Sequence, residues 1–212
     1  MSRAALRDRL AAARLYVITP EAESSRVISI ATAAVRGGAE AIQLRHKSLA
    51  RGELLSLAKA LRRLLPDALF IVNDHVDIAL LSGADGVHLG PGDLSLAGAR
   101  EVAGDRLLVG ASAWTVAAAR GSIAEGADYL GSGPAFATPV KREKAVIGPQ
   151  AIAAIESAVG TEAPVFAIGG IDETNVGLLT TIGVRRVCVI RAVSDAADPE
   201  QAARRLRAML DA

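Results

Sequence analysis

The 212-residue chain is poor in aromatic residues and cysteine and has almost no net charge. It contains one Trp, two Tyr, three Phe and a single cysteine, Cys188. One cysteine excludes an internal disulfide and a zinc site built from several cysteines. Lys and Arg number 24 against 23 Asp and Glu, a formal net charge of +1. This balance excludes the bulk positive charge of sequence-independent nucleic-acid binders, and six aromatics make a poor stacking surface for single strands.

Long hydrophobic runs are also missing. Residues 1–14 interleave Arg3, Arg7, Asp8, Arg9 and Arg14 with alanines, unlike the uninterrupted apolar core of a signal peptide. No later stretch reaches the roughly 18 uncharged apolar residues of a membrane span. We therefore expect no nucleic-acid or membrane partner and, with one cysteine, a reducing cytoplasmic location.

What the chain does have is an alternation of strand-like and helix-like segments. Helical spacing of apolar residues occurs, for example, at 51–64 and 199–210,. The length corresponds to about 1.4 typical domains, which a single barrel spanning 1–212 satisfies better than two undersized domains. Eight short β-branched runs predict strands: 15–19, 41–45, 69–73, 86–89, 107–111, 129–131, 165–168 and 186–190.

A repeated glycine precedes four of these runs, at Gly38, Gly83, Gly126 and Gly183. Glycine just past a helix end takes the left-handed conformation that closes the last turn. Strands separated by helices must be parallel, so the pattern predicts an α/β fold, a compact (β/α)8 TIM barrel. The structural alternative is an open doubly wound sheet, but the first βα turn lacks Gly-x-Gly-x-x-Gly.

Active sites of such barrels lie at the carboxyl ends of the strands, so polar residues there are the candidates. Gln43, Arg45 and Lys47 alternate along the end of the second run, and period two points them the same way. A solvated turn is the alternative for Arg45 and Lys47, but an unpaired Gln43 amide inside an apolar run would be costly. We expect all three to face the barrel mouth.

Acidic residues follow the next two strands. Asn73 and Asp74 end the third run, and Asp93 lies after the fourth. Two carboxylates on adjacent loops suit a Mg²⁺ that keeps some waters and also binds phosphate oxygens. The alternative for Asp74 is a helix N-cap. For His88, in the fourth run, we expect a hydrogen-bonded structural role rather than catalysis.

The later strand ends offer hydroxyls, small residues and cations. Ser112 is a hydrogen-bond donor with no histidine in its own turn, which disfavours a nucleophilic role. Residues 131–141 resemble a mobile lid that carries Thr138 and Lys141. Gly169 and Gly170 precede a helix that we expect to begin at Asp172, the position after strand seven where barrels often hold phosphate.

Arg191 ends strand eight, beside that phosphate position. Together the four cations Arg45, Lys47, Lys141 and Arg191 and the two acids suggest a magnesium-complexed pyrophosphate plus a second phosphate. A Schiff-base aldolase is disfavoured, because every lysine lies in a loop or a helix rather than within a strand.

These residues resemble the thiamine phosphate synthase family and its relative, the thiazole tautomerase. The likeness covers nearly the whole chain: LY at 15–16, QLRHK at 43–47, VND at 72–74, ADGVHLG at 84–90, GPAFATPVK at 133–141 and AIGGI at 167–171. The resemblance implies a (β/α)8 barrel that joins hydroxymethylpyrimidine diphosphate to thiazole phosphate and releases pyrophosphate by a dissociative mechanism.

The resemblance also implies roles for individual residues. It assigns Gln43, Arg45, Lys47 and Asn73 to the pyrimidine diphosphate, and Asp74 and Asp93 to Mg²⁺. It places Ser112 and Lys141 at the pyrophosphate or pyrimidine, and Thr138 with Gly170, beside Gly169, at the thiazole phosphate. We expect Arg45, Ser112 and Lys141 to be the catalytic residues, since the reaction needs leaving-group stabilisation more than a strong base. A monomer and a homo-oligomer are both compatible with the sequence.

This chain departs from the family pattern at three positions. It has Val140 where a second threonine is usual, Arg191 in place of a common serine, and Pro20 where the opening motif usually ends in aspartate. Val140 removes one hydroxyl from the thiazole phosphate site, and Arg191 could compensate with a charged hydrogen bond. The alternative functions are the tautomerase, whose catalytic histidine would stand where this chain has Trp114, and a non-catalytic thiamine- or phosphate-binding protein.

Overall fold

Parallel strands and helices alternate along the chain in the computed structural model, which describes residues 1–138 and 145–211. In these residues there are eight strands: β1 Leu15–Ile18, β2 Ala41–Leu44, β3 Leu69–Asn73, β4 Gly86–Leu89, β5 Leu108–Ser112, β6 Tyr129–Ser132, β7 Val165–Ile168 and β8 Val187–Val189. Each is hydrogen-bonded in parallel to the next, and β8 pairs with β1 to close the barrel. The (β/α)8 prediction is confirmed, and the closure excludes the open doubly wound sheet.

The same residues form ten helices around the barrel: α1 Arg3–Ala12, α2 Ser24–Arg36, α3 Arg51–Leu64, α4 Val76–Ser82, α5 Leu96–Ala103, α6 Val116–Ala124, α7 Pro149–Val159, α8 Val176–Thr180, α9 Arg191–Ser194 and α10 Pro199–Asp211. The four predicted C-terminal glycines all have positive φ, between 71° and 99°. In the described part of the chain, no helix has the length and hydropathy that a membrane crossing requires.

Two hydrophobic cores hold the fold together. Val, Leu and Ala on the outward faces of the strands pack against the helices in the larger core. The smaller core fills the barrel interior, where every second strand residue points inward. It contains Tyr16, Tyr129 and Phe166 and is covered at the amino-terminal end of the strands by Leu6 and Leu10 of α1. Because α1 covers that end, the interior opens at the carboxyl ends of the strands.

The predicted first residue of the helix after β7 is wrong. It begins at Val176 rather than at Asp172, because residues 172–175 form a turn. The Asp172 carboxylate accepts hydrogen bonds from the amide and hydroxyl of Thr174, at 2.9 and 2.6 Å. This Asx-type turn competes with the first helical turn. Gly169 and Gly170 therefore enter a loop rather than a helix N-terminus.

Candidate active site

A cavity of about 420 Å³ occupies the mouth of the barrel at the carboxyl ends of the strands. Nearly all the sequence-predicted residues that the structure describes line it: Gln43, Arg45, Lys47, Asn73, Asp74, Ser112, Thr138, Gly169, Gly170 and Arg191. Asp93 is the exception and lies on the exposed loop beside Asp74. Lys141 and Val140 lie outside the described residues.

The β2 end brings three polar side chains to one side of the cavity. Gln43 is buried and its amide nitrogen donates to the Tyr16 hydroxyl at 2.8 Å. Arg45 is largely buried, and its guanidinium lies 4.0 Å from the Glu21 carboxylate. The more exposed Lys47 places Nζ 3.6 Å from an Asp74 carboxylate oxygen. As predicted, all three reach the mouth, and Arg45 is not a solvated turn residue.

Asp74 is held in an unusual backbone conformation, with φ 66°. Its side chain does not cap α4, whose N-cap residue is His75, so the N-cap alternative is wrong. Burial, together with the neighbouring Asp93 carboxylate, raises the pKa of Asp74 above its usual value, and Lys47 only partly offsets this. Asp93 is itself oriented by the Gly90 amide, which donates to its carboxylate at 2.7 Å.

This acid pair fits a magnesium ion that completes its shell with waters and phosphate oxygens. Two adjacent carboxylates repel each other, and a divalent cation between them would remove that repulsion. No group of three or more His, Cys, Asp or Glu residues placed to hold a metal occurs in 1–138 and 145–211.

A chain of polar side chains crosses the barrel interior below the mouth. The Tyr16 hydroxyl lies 3.1 Å from that of Tyr129, which lies 3.3 Å from Nδ1 of His88. His88 Nε2 lies 3.2 Å from Ser112 Oγ. His88 is thus hydrogen-bonded, as expected, but it also lines the cavity. Ser112 has an imidazole beside it after all, supplied by the neighbouring strand β4 rather than by its own turn.

The opposite side of the cavity is built from closely packed backbone after β6 and β7. The Ala135 and Phe136 amides donate to the carbonyls of Ile168 and Gly169 at 2.8 and 2.9 Å. A Cβ on Gly170 would lie 2.5 Å from the Ala137 carbonyl oxygen, and its φ is 66°. Only glycine fits there, and it leaves backbone exposed to the cavity.

Arg191 also lines this side of the cavity, together with Asp172 and Asp195. It begins the short helix α9, and its Nε lies 2.7 Å from the Asp195 carboxylate. The Arg191 hydrogen bond lowers the pKa of Asp195. Both side chains are about half exposed, so the guanidinium is accessible to an anion entering the cavity.

Sequence reasoning missed several cavity residues, above all Tyr16, Tyr129 and Phe166. They lie within apolar runs and look like ordinary core residues. The signal that could have found them is the two-residue period of the strands. Just as this period points Gln43 of β2 into the barrel, it points Tyr16 of β1 and Tyr129 of β6 into it. Trp114, 42% exposed, also lines the mouth.

Comparison with known proteins gives consistent matches. A family model described as thiamine monophosphate synthase matches residues 15–193. A thiamine-phosphate synthase of Anaeromyxobacter dehalogenans is 45% identical, covering 93% of this chain and 88% of the relative. One from Gloeobacter violaceus is 46% identical over 92% of this chain, which spans only 56% of that relative's length.

A solved structure agrees with the sequence matches. The thiamine phosphate pyrophosphorylase from Pyrococcus furiosus superposes with a TM-score of 0.86 at 38% identity, covering 97% of this chain and 98% of that one. The family model covers most of the barrel, and the relatives align over nearly all of it. The chain therefore belongs to the thiamine monophosphate synthase family.

Proposed function

We propose that this protein is a transferase that joins 4-amino-2-methyl-5-hydroxymethylpyrimidine diphosphate to thiazole phosphate, giving thiamine phosphate and pyrophosphate. The observation that carries the proposal is the distribution of charge around one cavity. Arg45, Lys47 and Asp74 lie on the β2–β3 side, and Gly170 and Arg191 follow β7 and β8 on the other. Two anionic groups, one on each side of the cavity, match this arrangement.

The β2–β3 side is the proposed diphosphate site. Arg45 and Lys47 would donate to its oxygens, and Gln43, Asn73 and Ser112 would hold the pyrimidine end. Asp74 and Asp93 would hold Mg²⁺, which stabilises negative charge on a departing pyrophosphate when bound. The glycine backbone, Thr138 and Arg191 would hold the thiazole phosphate.

The reaction we propose is dissociative. The bond between the pyrimidine methylene carbon and the diphosphate oxygen breaks, and its electron pair leaves with pyrophosphate. The nitrogen lone pair of the thiazole then forms the new bond to the methylene cation. Arg45, Lys47 and Lys141 neutralise the leaving group.

Incubation with both substrates and Mg²⁺ tests the proposal, with pyrophosphate and thiamine phosphate measured together. We expect equal amounts of both products. Aromatisation of a thiazole carboxylate phosphate without any condensation would favour the tautomerase alternative instead. Binding of either substrate with no turnover at saturation would favour a non-catalytic binding protein. The tautomerase alternative is disfavoured, because Trp114 occupies the position at which the resemblance implies the catalytic histidine of the tautomerase.

Replacing either metal-binding acid by its amide tests the magnesium assignment. We expect Asp74→Asn and Asp93→Asn to raise the Mg²⁺ concentration for half-maximal activity at least tenfold, or about 1.4 kcal/mol. Both should also reduce the rise in melting temperature that Mg²⁺ causes without substrate. Asp77→Asn is the matched control, an acid nearby in the sequence that is paired with Arg51 on the surface. Unchanged titrations in both site variants would reject the assignment.

The single buried cysteine is compatible with a reducing, cytoplasmic compartment,. We retain that location, and the two small-molecule substrates as partners, as part of the proposal.

A further inference from the structure

The polar chain across the barrel interior consists of five residues, and the two at its ends are proposed substrate-binding residues. Gln43 stands at one end and Ser112 at the other, with Tyr16, Tyr129 and His88 between them. Gln43, Tyr16 and Tyr129 are each at most 2% exposed. Buried hydrogen bonds of this kind are not weakened by competing water, and each one orients the next.

The barrel makes room for this chain at two glycines. A Cβ on Gly110 would lie 2.1 Å from Cζ of the Tyr129 ring and 2.5 Å from its hydroxyl oxygen. A Cβ on Gly131 would lie 3.3 Å from Cε1 of His88. Phe166 packs edge-on against both tyrosine rings, with centroids 5.4 and 6.1 Å away. The two phenols are therefore fixed in place by shape as well as by hydrogen bonds.

The donors and acceptors along the chain have a fixed order. The Gln43 amide nitrogen is a donor only, so the Tyr16 oxygen accepts from it and the single Tyr16 proton is available to Tyr129. Tyr129 in turn donates to Nδ1 of His88. An imidazole that accepts at Nδ1 in the neutral form carries its proton on Nε2, and Nε2 faces Ser112. The Ser112 oxygen accepts that proton, and its own hydrogen is left for an acceptor in the cavity.

The reverse order creates a conflict. If Ser112 donated to His88, then His88 would donate to Tyr129 and Tyr129 to Tyr16. The Tyr16 proton would then point at the Gln43 amide group, which is also a donor. A buried donor left without an acceptor costs about 1–3 kcal/mol, so the observed amide orientation selects the first order.

We propose that Tyr129 and His88 are positioning residues that set Ser112 as a hydrogen-bond donor to the bound substrate. Ser112 contacts the substrate, and Tyr129 and His88, which also line the cavity, affect the reaction by fixing the direction of the Ser112 hydrogen bond. This inference rests on the proposed function for its kinetic consequence, but the proton order along the chain does not depend on any activity. The substrate group that Ser112 meets must be an acceptor, such as a diphosphate oxygen or an unprotonated ring nitrogen.

The proton order is tested on the free protein by ¹⁵N spectra of its three histidine rings. The signals of His88 are identified by their loss in His88→Gln. We expect the neutral Nε2–H form at pH 7.5 in the wild type and in Ser112→Ala, and a mixture of tautomers in Tyr129→Phe. A dominant Nδ1–H form in the wild type, or a tautomer unaffected by Tyr129→Phe, would overturn the proposal.

A double-mutant cycle tests the positioning role. We expect Ser112→Ala and Tyr129→Phe each to reduce kcat/KM about tenfold, and the double variant to be no worse than Ser112→Ala alone, because Tyr129 acts through Ser112. Effects that multiply to about a hundredfold would show independent roles and contradict the inference. Ser82→Ala, which removes a buried hydroxyl bonded to the Ala79 carbonyl outside the cavity, is the control and should leave kcat/KM unchanged.

If Tyr129→Phe does not fold, as judged by its thermal unfolding, His88→Gln replaces it in the double-mutant cycle, and the His88 tautomer of the wild type and of Ser112→Ala still tests the proton order. A wild-type protein without synthase activity would refute the proposed function. The ring spectra would still decide the proton order, so the two failures are distinguishable.

Discussion

Arg191 adds a cation to the side of the cavity where we propose that the thiazole phosphate binds. It stands where the resemblance to the family implies a serine, begins α9 after β8, lines the cavity and pairs with Asp195 at 2.7 Å. A guanidinium there can replace a neutral hydroxyl contact to phosphate with a charge-assisted one. Its pairing with Asp195 orients the guanidinium only weakly, because both side chains are about half exposed,.

We predict that Arg191→Ser raises the KM for thiazole phosphate about tenfold and leaves the KM for the pyrimidine diphosphate unchanged. Loss of a charge-assisted hydrogen bond costs about 1.5–3 kcal/mol, which corresponds to at least a tenfold effect. Steady-state kinetics with each substrate varied in turn measures both constants. Arg204→Ser is the matched control, since Arg204 makes the same i,i+4 pair with Glu200 on α10 at similar exposure. If both KM values stay at the wild-type level, Arg191 is not a phosphate ligand.

At the residue scale, strand-end positions could be predicted from the sequence and inter-strand partners could not. Gln43 and Asp74 were predictable because each polar residue directly follows or interrupts an apolar run. The contact between His88 and Ser112 was not, because they are 24 residues apart and meet only through the register of β4 and β5, which pairs His88 with Gly110. Local patterns carry no information on such register.

At the element scale, three of the four repeated glycines, Gly38, Gly83 and Gly126, are followed two residues later by an acidic residue with a structural role. Glu40, Asp85 and Asp128 stand directly before β2, β4 and β6. Each accepts a backbone N–H from the start of the preceding strand, those of Leu15, Phe70 and Val109, at 2.8–2.9 Å. Each also pairs with an arginine of a surrounding helix: Arg207, Arg62 and Arg100, respectively. The repeat therefore links strand pairs to helices as well as ending helices.

We predict that Asp128→Asn lowers the free energy of unfolding by about 3–5 kcal/mol, the usual cost of breaking a buried ion pair. The Asp128 side chain is fully buried between Arg3 and Arg100 at 2.8 and 2.9 Å, so the change leaves arginine charge there without its partner. Urea unfolding followed by circular dichroism measures the effect.

Asp105→Asn is the control for this variant. Asp105 contacts the same Arg3 at 3.0 Å, but its side chain is 85% exposed, and exposed pairs contribute little. A similar loss of stability in both variants would mean that burial does not determine the contribution of Asp128.

The element boundaries show why the rest of the fold was less predictable. Strand ends shifted by one residue at β5, predicted at 107–111 and observed as Leu108–Ser112, because hydrogen bonding to neighbouring strands decides where a strand ends. The helix expected from Asp172 begins four residues later, because the Asp172 side chain bonds to its own backbone neighbours. The helix α3, with strong apolar spacing and no competing local structure, was predicted with correct bounds, and α10, predicted at 199–210, ends one residue later at Asp211.

At the scale of the whole molecule, the two ends of the barrel have separate tasks. The carboxyl end holds the cavity, with its neighbouring acids and accessible cations. The amino end is closed by α1, whose Leu6 and Leu10 are 2% and 0% exposed and pack into the interior core. The near-zero net charge thus conceals a local concentration of charged groups at one end.

We predict that Leu10→Ala reduces the free energy of unfolding by about 2–5 kcal/mol, the range for a buried leucine that leaves a cavity. Both substrate KM values should stay within about twofold of wild type, because the substitution lies at the end of the barrel away from the site. Leu64→Ala, at the end of α3 and 51% exposed, is the matched control and should have little effect on either property. Urea unfolding and steady-state kinetics on the same preparations measure stability and substrate binding separately.

A large KM change in Leu10→Ala, at a temperature where the protein is fully folded, would contradict this prediction. It would show that the interior core transmits changes from the amino end of the barrel to the site at the carboxyl end.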